Sequence, residues 1–174
     1  MADNALISYI GPDRAGLISK ITGRLFEMGG SLGDLTFAGL GEAAELTMRY
    51  EMPKDMTIDG LRLEIGGLPE VRGGELRVKE IQVKTTLGVT SRITHRVILS
   101  GGDRPGLVAK IIKIMDQHSA RVIRMNAERL AGAMGSQYIA RFAISVRDER
   151  APACLAAIVS LAGELKLTFR YETA

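Results

Sequence analysis

One seven-residue segment occurs twice in this chain. Gly11-Pro12-Asp13-Arg14-Ala15-Gly16-Leu17 returns ninety positions later as Gly101-Gly102-Asp103-Arg104-Pro105-Gly106-Leu107. Without gaps, seven of the twenty positions from Gly11 to Gly30 are identical to Gly101–Ala120, Lys20/Lys110 and Ile21/Ile111 among them. Duplication confines a chain of 174 residues to two copies of one small supersecondary unit. A boundary near residue 88 then gives domains of residues 1–88 and 89–174, joined by the Thr- and Ser-containing segment Lys84–Thr94.

Each copy reads alike. A short strand, Ala5–Ile10 or His95–Ser100, leads into the shared turn. A helix follows, with its apolar stripe at Leu17, Ile18, Ile21, Leu25 and Met28, or at Leu107, Val108, Ile111, Ile112 and Met115. Two strands come next, Leu32–Ala38 and its partner through Tyr50, or Val122–Glu128 and its partner through Ile144. Leu46, Met48 and Tyr50 alternate with Glu45, Thr47 and Arg49, the period of a sheet with one buried face. A second helix carries Ile58, Leu61, Ile65 and Leu68, or Leu155, Ile158, Val159 and Ala162. Last strands, Leu76–Val83 and Leu165–Tyr171, close the units. The order β-α-β-β-α-β, twice, predicts an α+β chain of two tandem ferredoxin-like domains. Each has an antiparallel sheet with its helices on one face.

Composition limits what such a chain does. With 46% apolar and 25% charged residues it can fill two cores. Trp is absent and aromatics are 5%, so the cores are expected to be aliphatic, with the eight Met as filler. Met48, Met52 and Met56 offer a minority reading as a partner-binding surface. The net charge of +3 is spread among interleaved acids, without a basic run. That argues against direct nucleic-acid binding and against an anionic membrane anchor. A single cysteine, Cys154, permits no intrachain disulfide and fits a reducing compartment. The polar Met1–Asn4 start and the lack of an ~18-residue apolar run lead to the expectation of a soluble, cytoplasmic protein.

Reactive constellations are missing. The two histidines, His95 and His118, stand apart, and no metal-ligand spacing or phosphate-loop signature occurs. Cys154 opens an apolar helix with no neighbouring base. The expectation is no catalytic residue, no metal and no cofactor.

The repeated turn is where chemistry concentrates. It feeds a helix N-terminus, whose first N–H groups lack intrahelical acceptors and favour an anion. Asp13 and Asp103 offer carboxylates to an ammonium group. Gly11, Gly16, Gly101 and Gly106 permit close backbone approach. Together these groups suit the two ends of a free amino acid. A plainer reading stands beside it. Asp before a helix is a common N-cap, Pro105 suits a first helical turn, and Gly16 can serve packing alone. Arg14 and Arg104 either meet a carboxylate or face solvent.

Asp-Arg-x-Gly-Leu between a first strand and a first helix resembles the ACT domain family. The resemblance covers about Ala5–Tyr171. Two such units with nothing attached are similar to the glycine cleavage system transcriptional repressor family. This implies a non-enzymatic regulator that senses an amino acid such as glycine or serine. It implies action through protein contact, with a transcription factor or an enzyme as partner, and a homo-oligomeric state. An interaction module without a working ligand site, or the regulatory subunit of an amino-acid metabolic enzyme, remains the alternative. The implied ligand residues are Gly11–Leu17 and Gly101–Leu107. Across an interface, the start of the second strand adds Ser31 or Arg121, where the family commonly has Asn. That departure leaves the effector open and makes the two sites unequal.

Overall fold

The computed structural model describes residues 3–82, 92–132 and 135–174. The chain divides into two compact units, Met1–Lys84 and Thr85–Ala174. The expected boundary at residue 88 lies outside the described residues, as does most of the expected linker.

The first unit runs β1 (Asn4–Pro12), α1 (Leu17–Glu27), β2 (Ser31–Leu40), β3 (Ala43–Glu51), α2 (Ile58–Gly66), a 3-10 turn (Pro69–Val71) and β4 (Glu75–Ile81). The second runs β5 (His95–Gly102), α3 (Leu107–Gln117), β6 (Arg121–Gly132), β7 (Gly135–Ser145), α4 (Ala151–Glu164) and β8 (Thr168–Thr173). Each sheet is antiparallel, with strand order β2-β3-β1-β4 or β6-β7-β5-β8. This is the tandem ferredoxin-like, α+β arrangement that the repeat predicts.

Alternation decides which face is buried. Ala5, Ile7 and Tyr9 of β1 and Leu46, Met48 and Tyr50 of β3 point into the first core, where they meet Leu17, Ile21 and Leu25 of α1 and Leu61 and Ile65 of α2. Val97, Leu99, Phe142 and Ile144 do the same beneath Ile111, Met115, Cys154 and Ile158. The cores are not purely aliphatic. Tyr9, Tyr50 and Phe142 are among the largest fully buried side chains. A buried phenol needs a partner. Tyr50 donates to the Leu25 carbonyl at 2.9 Å and accepts from the Gly30 N–H at 3.1 Å. Met48 and Met52 are buried and Met56 packs against the core, so these methionines are filler.

Three boundaries differ from the pattern. The first strands run on into the shared motif, so Gly11 and Pro12 pair with Ala44 and Ala43, and Gly101 and Gly102 with Tyr138 and Gln137. Helix α2 stops at Gly66 because Gly66-Gly67 and Pro69 weaken its continuation. Leu68 and Val71 still pack against the core from the 3-10 turn. Leu165 belongs to the end of α4 rather than to the last strand. Lys166 turns the chain at φ 55° and Leu167 donates its N–H to the Ala162 carbonyl at 2.8 Å. Period two and a helix end both place Leu165 and Leu167 inward, so the sequence alone does not separate them.

Candidate functional site

The turn between β1 and α1 is short, Asp13–Gly16. Gly16 is the N-cap residue at φ 86°, and Gly106 repeats it at φ 77°. This left-handed backbone is the reason for glycine here, since a Cβ on Gly106 would meet nothing within 4 Å. Neither helix start has a side-chain cap. The reading of Asp13 and Asp103 as N-caps is therefore corrected: each stands three residues before the cap. Pro105 likewise precedes the cap, outside the first helical turn. With Leu17 N–H donating to the Arg14 carbonyl at 3.1 Å and Lys20 N–H to the Gly16 carbonyl at 2.8 Å, the N–H groups of Ile18 and Ser19 have no backbone acceptor among the described residues. These are the orphan donors of a helix end.

Gly11 serves a different purpose from close ligand approach. A Cβ there would fall 2.5 Å from both the Tyr9 hydroxyl and the Gly74 Cα. The position is spent on housing the buried Tyr9 ring, whose hydroxyl donates to the Pro12 carbonyl at 3.1 Å. Burial pushes the Tyr9 phenol up; Arg14 nearby lowers it and Asp13 raises it. Gly101 meets Leu167 instead, whose Cδ2 would lie 2.6 Å from its Cβ. Arg14 donates to the Pro69 carbonyl at 2.9 Å, which ties the turn to the 3-10 segment. Ala15, Arg104 and Pro105 are exposed, and Leu17 and Leu107 are core residues.

The two acids differ. Asp13 is exposed and its main-chain N–H donates to the Glu42 carbonyl at 2.9 Å. Its carboxylate lies over Gly39 of β2, where a Cβ would be 3.7 Å from Oδ2, and has no ion-pair partner among the described residues. It borders a depression of about 260 Å³ shared with Arg14, Gly16, Ile18, Ser19 and Phe37. Asp103 instead pairs with Arg129 of β6 at 2.6 Å. Sheet register makes Gly39 and Arg129 counterparts. Gly11 faces Ala44, which faces Gly39, just as Gly101 faces Tyr138, which faces Arg129.

Residues 3–79 match the model of the ACT domain. The first unit is an ACT domain. The second unit repeats its fold, as the same element order and strand order show. No curated protein matches the chain in sequence. Two crystal structures share the tandem architecture over the full length. One is an unknown protein from Galdieria sulphuraria, with a TM-score of 0.82, 12% identity, and coverage of 100% of this chain and 99% of that one. The other was provisionally assigned as a glycine cleavage system transcriptional repressor, with a TM-score of 0.67, 15% identity, and coverage of 100% and 98%.

In this ACT domain the second-strand residue is far from the turn. Ser31 pairs with Glu51 opposite Asn4, while the turn follows Pro12 at the other end of β1. At the rise of a strand the separation is on the order of 25 Å. Arg121, beside Ser145, stands in the same relation to Asp103. Within a unit the structure brings Gly11–Leu17 together and leaves Ser31 apart. Sequence reasoning missed Phe37, Gly39 and Arg129. All three stand on edge strands, and their approach to the turn follows from sheet register. Among the described residues no group of three His, Cys, Asp or Glu is placed to hold a metal, and no helix is long and apolar enough to cross a membrane.

Proposed function

We propose that this chain is a non-enzymatic, cytoplasmic regulator that senses a small amino acid, glycine or serine, at the Asp13–Ser19 turn of its first unit. The observation that carries this reading is the unneutralised Asp13 carboxylate beside two orphan helix N–H groups. The first suits an ammonium and the second a carboxylate. The depression of about 260 Å³ suits a small effector. The fold shared with a glycine cleavage system repressor makes glycine the first effector to test. The second unit is silent toward amino acids, because Arg129 already holds Asp103. Ser31, at the far end of its sheet, contributes only in a homo-oligomer. Output passes through contact with a protein partner, a transcription factor or an enzyme. Phe26 and Leu63, 79% and 76% exposed on α1 and α2, are apolar groups available for such contact.

The test is a thermal-shift screen of the full chain against the twenty amino acids. An effector at a hundred times its Kd adds about 2.7 kcal/mol, a rise of roughly 5 °C for a protein of this size. Asp13→Ala should abolish the rise and Asp103→Ala should leave it. No rise with any amino acid in the millimolar range overturns the proposal.

A further inference from the structure

The opposite end of the second unit holds a feature that amino-acid sensing does not use. A cleft of about 480 Å³ is lined by Arg92, Arg121 and Arg147, together with Ser119 and Ser145. Asp148 and Glu149 also line it. Neither forms an ion pair with the arginines among the described residues, and three guanidiniums against two carboxylates leave the lining with a net positive charge. The ion pairs of the described residues involve Arg24, Arg62, Arg77, Arg129 and Arg141, and none of the three cleft arginines. Arg150, at the flank, donates to the Ser119 hydroxyl at 2.8 Å. The Thr94 hydroxyl in the same wall is occupied, accepting from Val146 N–H at 3.0 Å and donating to the Ile144 carbonyl at 3.3 Å.

Sheet register shows that this charge is particular to the second unit. Where Arg121 pairs with Ser145, the first unit pairs Ser31 with Glu51. Two residues further on, Arg147 corresponds to Pro53. By the same register Asp148 and Glu149 correspond to Lys54 and Asp55, so the first unit presents Glu51, Lys54 and Asp55 at this end, where the second presents Arg121, Arg147, Asp148 and Glu149 with Arg92 added. Guanidiniums gathered in one concavity repel, and their planar donor forks match oxyanions in geometry. A volume of this size is ordinary for a small-molecule site.

We propose that this cleft binds a multivalent oxyanion, such as the phosphoryl groups of a small metabolite, through Arg92, Arg121 and Arg147. The cleft belongs to the second unit and the Asp13 turn to the first, so the chain reads two ligands, one zwitterionic and one anionic.

Calorimetric titration of the full chain with inorganic pyrophosphate at low ionic strength tests this. Saturable binding is expected in the millimolar range or tighter, weakening steeply with added salt. Arg121→Ala and Arg147→Ala should each weaken it about tenfold or more, as loss of a charge-assisted hydrogen bond does. All three arginines are exposed, so these variants should melt with the parent protein. Asp13→Ala should leave pyrophosphate binding unchanged. Absence of saturable binding, equal affinity in the Arg121→Ala/Arg147→Ala double variant, or displacement by acetate as effective as by pyrophosphate would each overturn the proposal. Acetate carries one charge, so its parity would reduce the cleft to general screening.

Discussion

Asp13 and Asp103 stand at the same point of the same turn, but their surroundings have diverged. Asp13 lies over a glycine, while Asp103 is held by Arg129 at 2.6 Å. What stayed constant between the units is what the backbone and the core require. Gly16 and Gly106 share a left-handed φ, Leu17 and Leu107 are buried, and Ile21 and Ile111 are fully buried. What changed stands on the edge strands β2 and β6, where position 39 or 129 bears no packing duty. A duplicated fold can therefore keep two frames and one open site. The far ends of the sheets diverged in the other direction, with Glu51 in one unit and Arg121 and Arg147 in the other.

Several substitutions sharpen this contrast. The largest effect is on the frames themselves. Ile21→Ala and Ile111→Ala each remove a fully buried side chain and should cost about 2–5 kcal/mol. Each core is built from residues of its own unit, so calorimetry should show the damaged unit melting first while the other keeps its transition. A single transition shifted equally by both would show that the units unfold together.

Exchanging the diverged edge residues comes next. Gly39→Arg should place a guanidinium over Asp13 and weaken amino-acid binding about tenfold or more. Arg129→Gly should free Asp103 and raise the stoichiometry measured by calorimetry from one toward two. If Gly39→Arg binds like the parent protein, the ion pair is not what separates the units.

Gly16→Ala and Gly106→Ala test what is shared. Both force a side chain into the left-handed region and should cost about 1–2 kcal/mol each, read by urea denaturation. Unequal costs would mean that one of the two caps relaxes.

The smallest effect is alkaline. Burial raises the Tyr9 and Tyr50 phenols in the first unit and the Cys154 thiol in the second. The folded state then holds those protons more tightly than the unfolded chain. Stability is complete below the unfolded values, about 8.5 for a thiol and about 10 for a phenol, and falls as pH rises past them. The second unit should soften first, and Cys154→Ala should remove that early loss. Denaturation midpoints measured across this range decide it.

Much of the fold was legible because it rests on local pattern. The repeat fixed two units, period two marked strands such as Leu46–Tyr50, and spacings of three and four marked α1 and α3. Legibility failed where two patterns agree, as at Leu165 and Leu167, which face inward whether they end a helix or begin a strand. Composition misled where periodicity did not, since the alternation already placed Tyr50 inward with Leu46 and Met48. Composition argues for aliphatic cores, whereas Gly11 and Gly74 leave room for the Tyr9 ring and Leu25 and Gly30 satisfy Tyr50.

The site divides in the same way. The sequence by itself determined that two turns of one pattern would exist, each with an acid, a glycine and a helix start, because those residues are contiguous. Ser31 and Arg121 already made the two sites unequal in the sequence, but only the tertiary structure decided that the two acids themselves meet different residues. The residue facing each acid comes from a separate edge strand, and strand register, set by pairing across the whole sheet, carries Gly39 to one acid and Arg129 to the other.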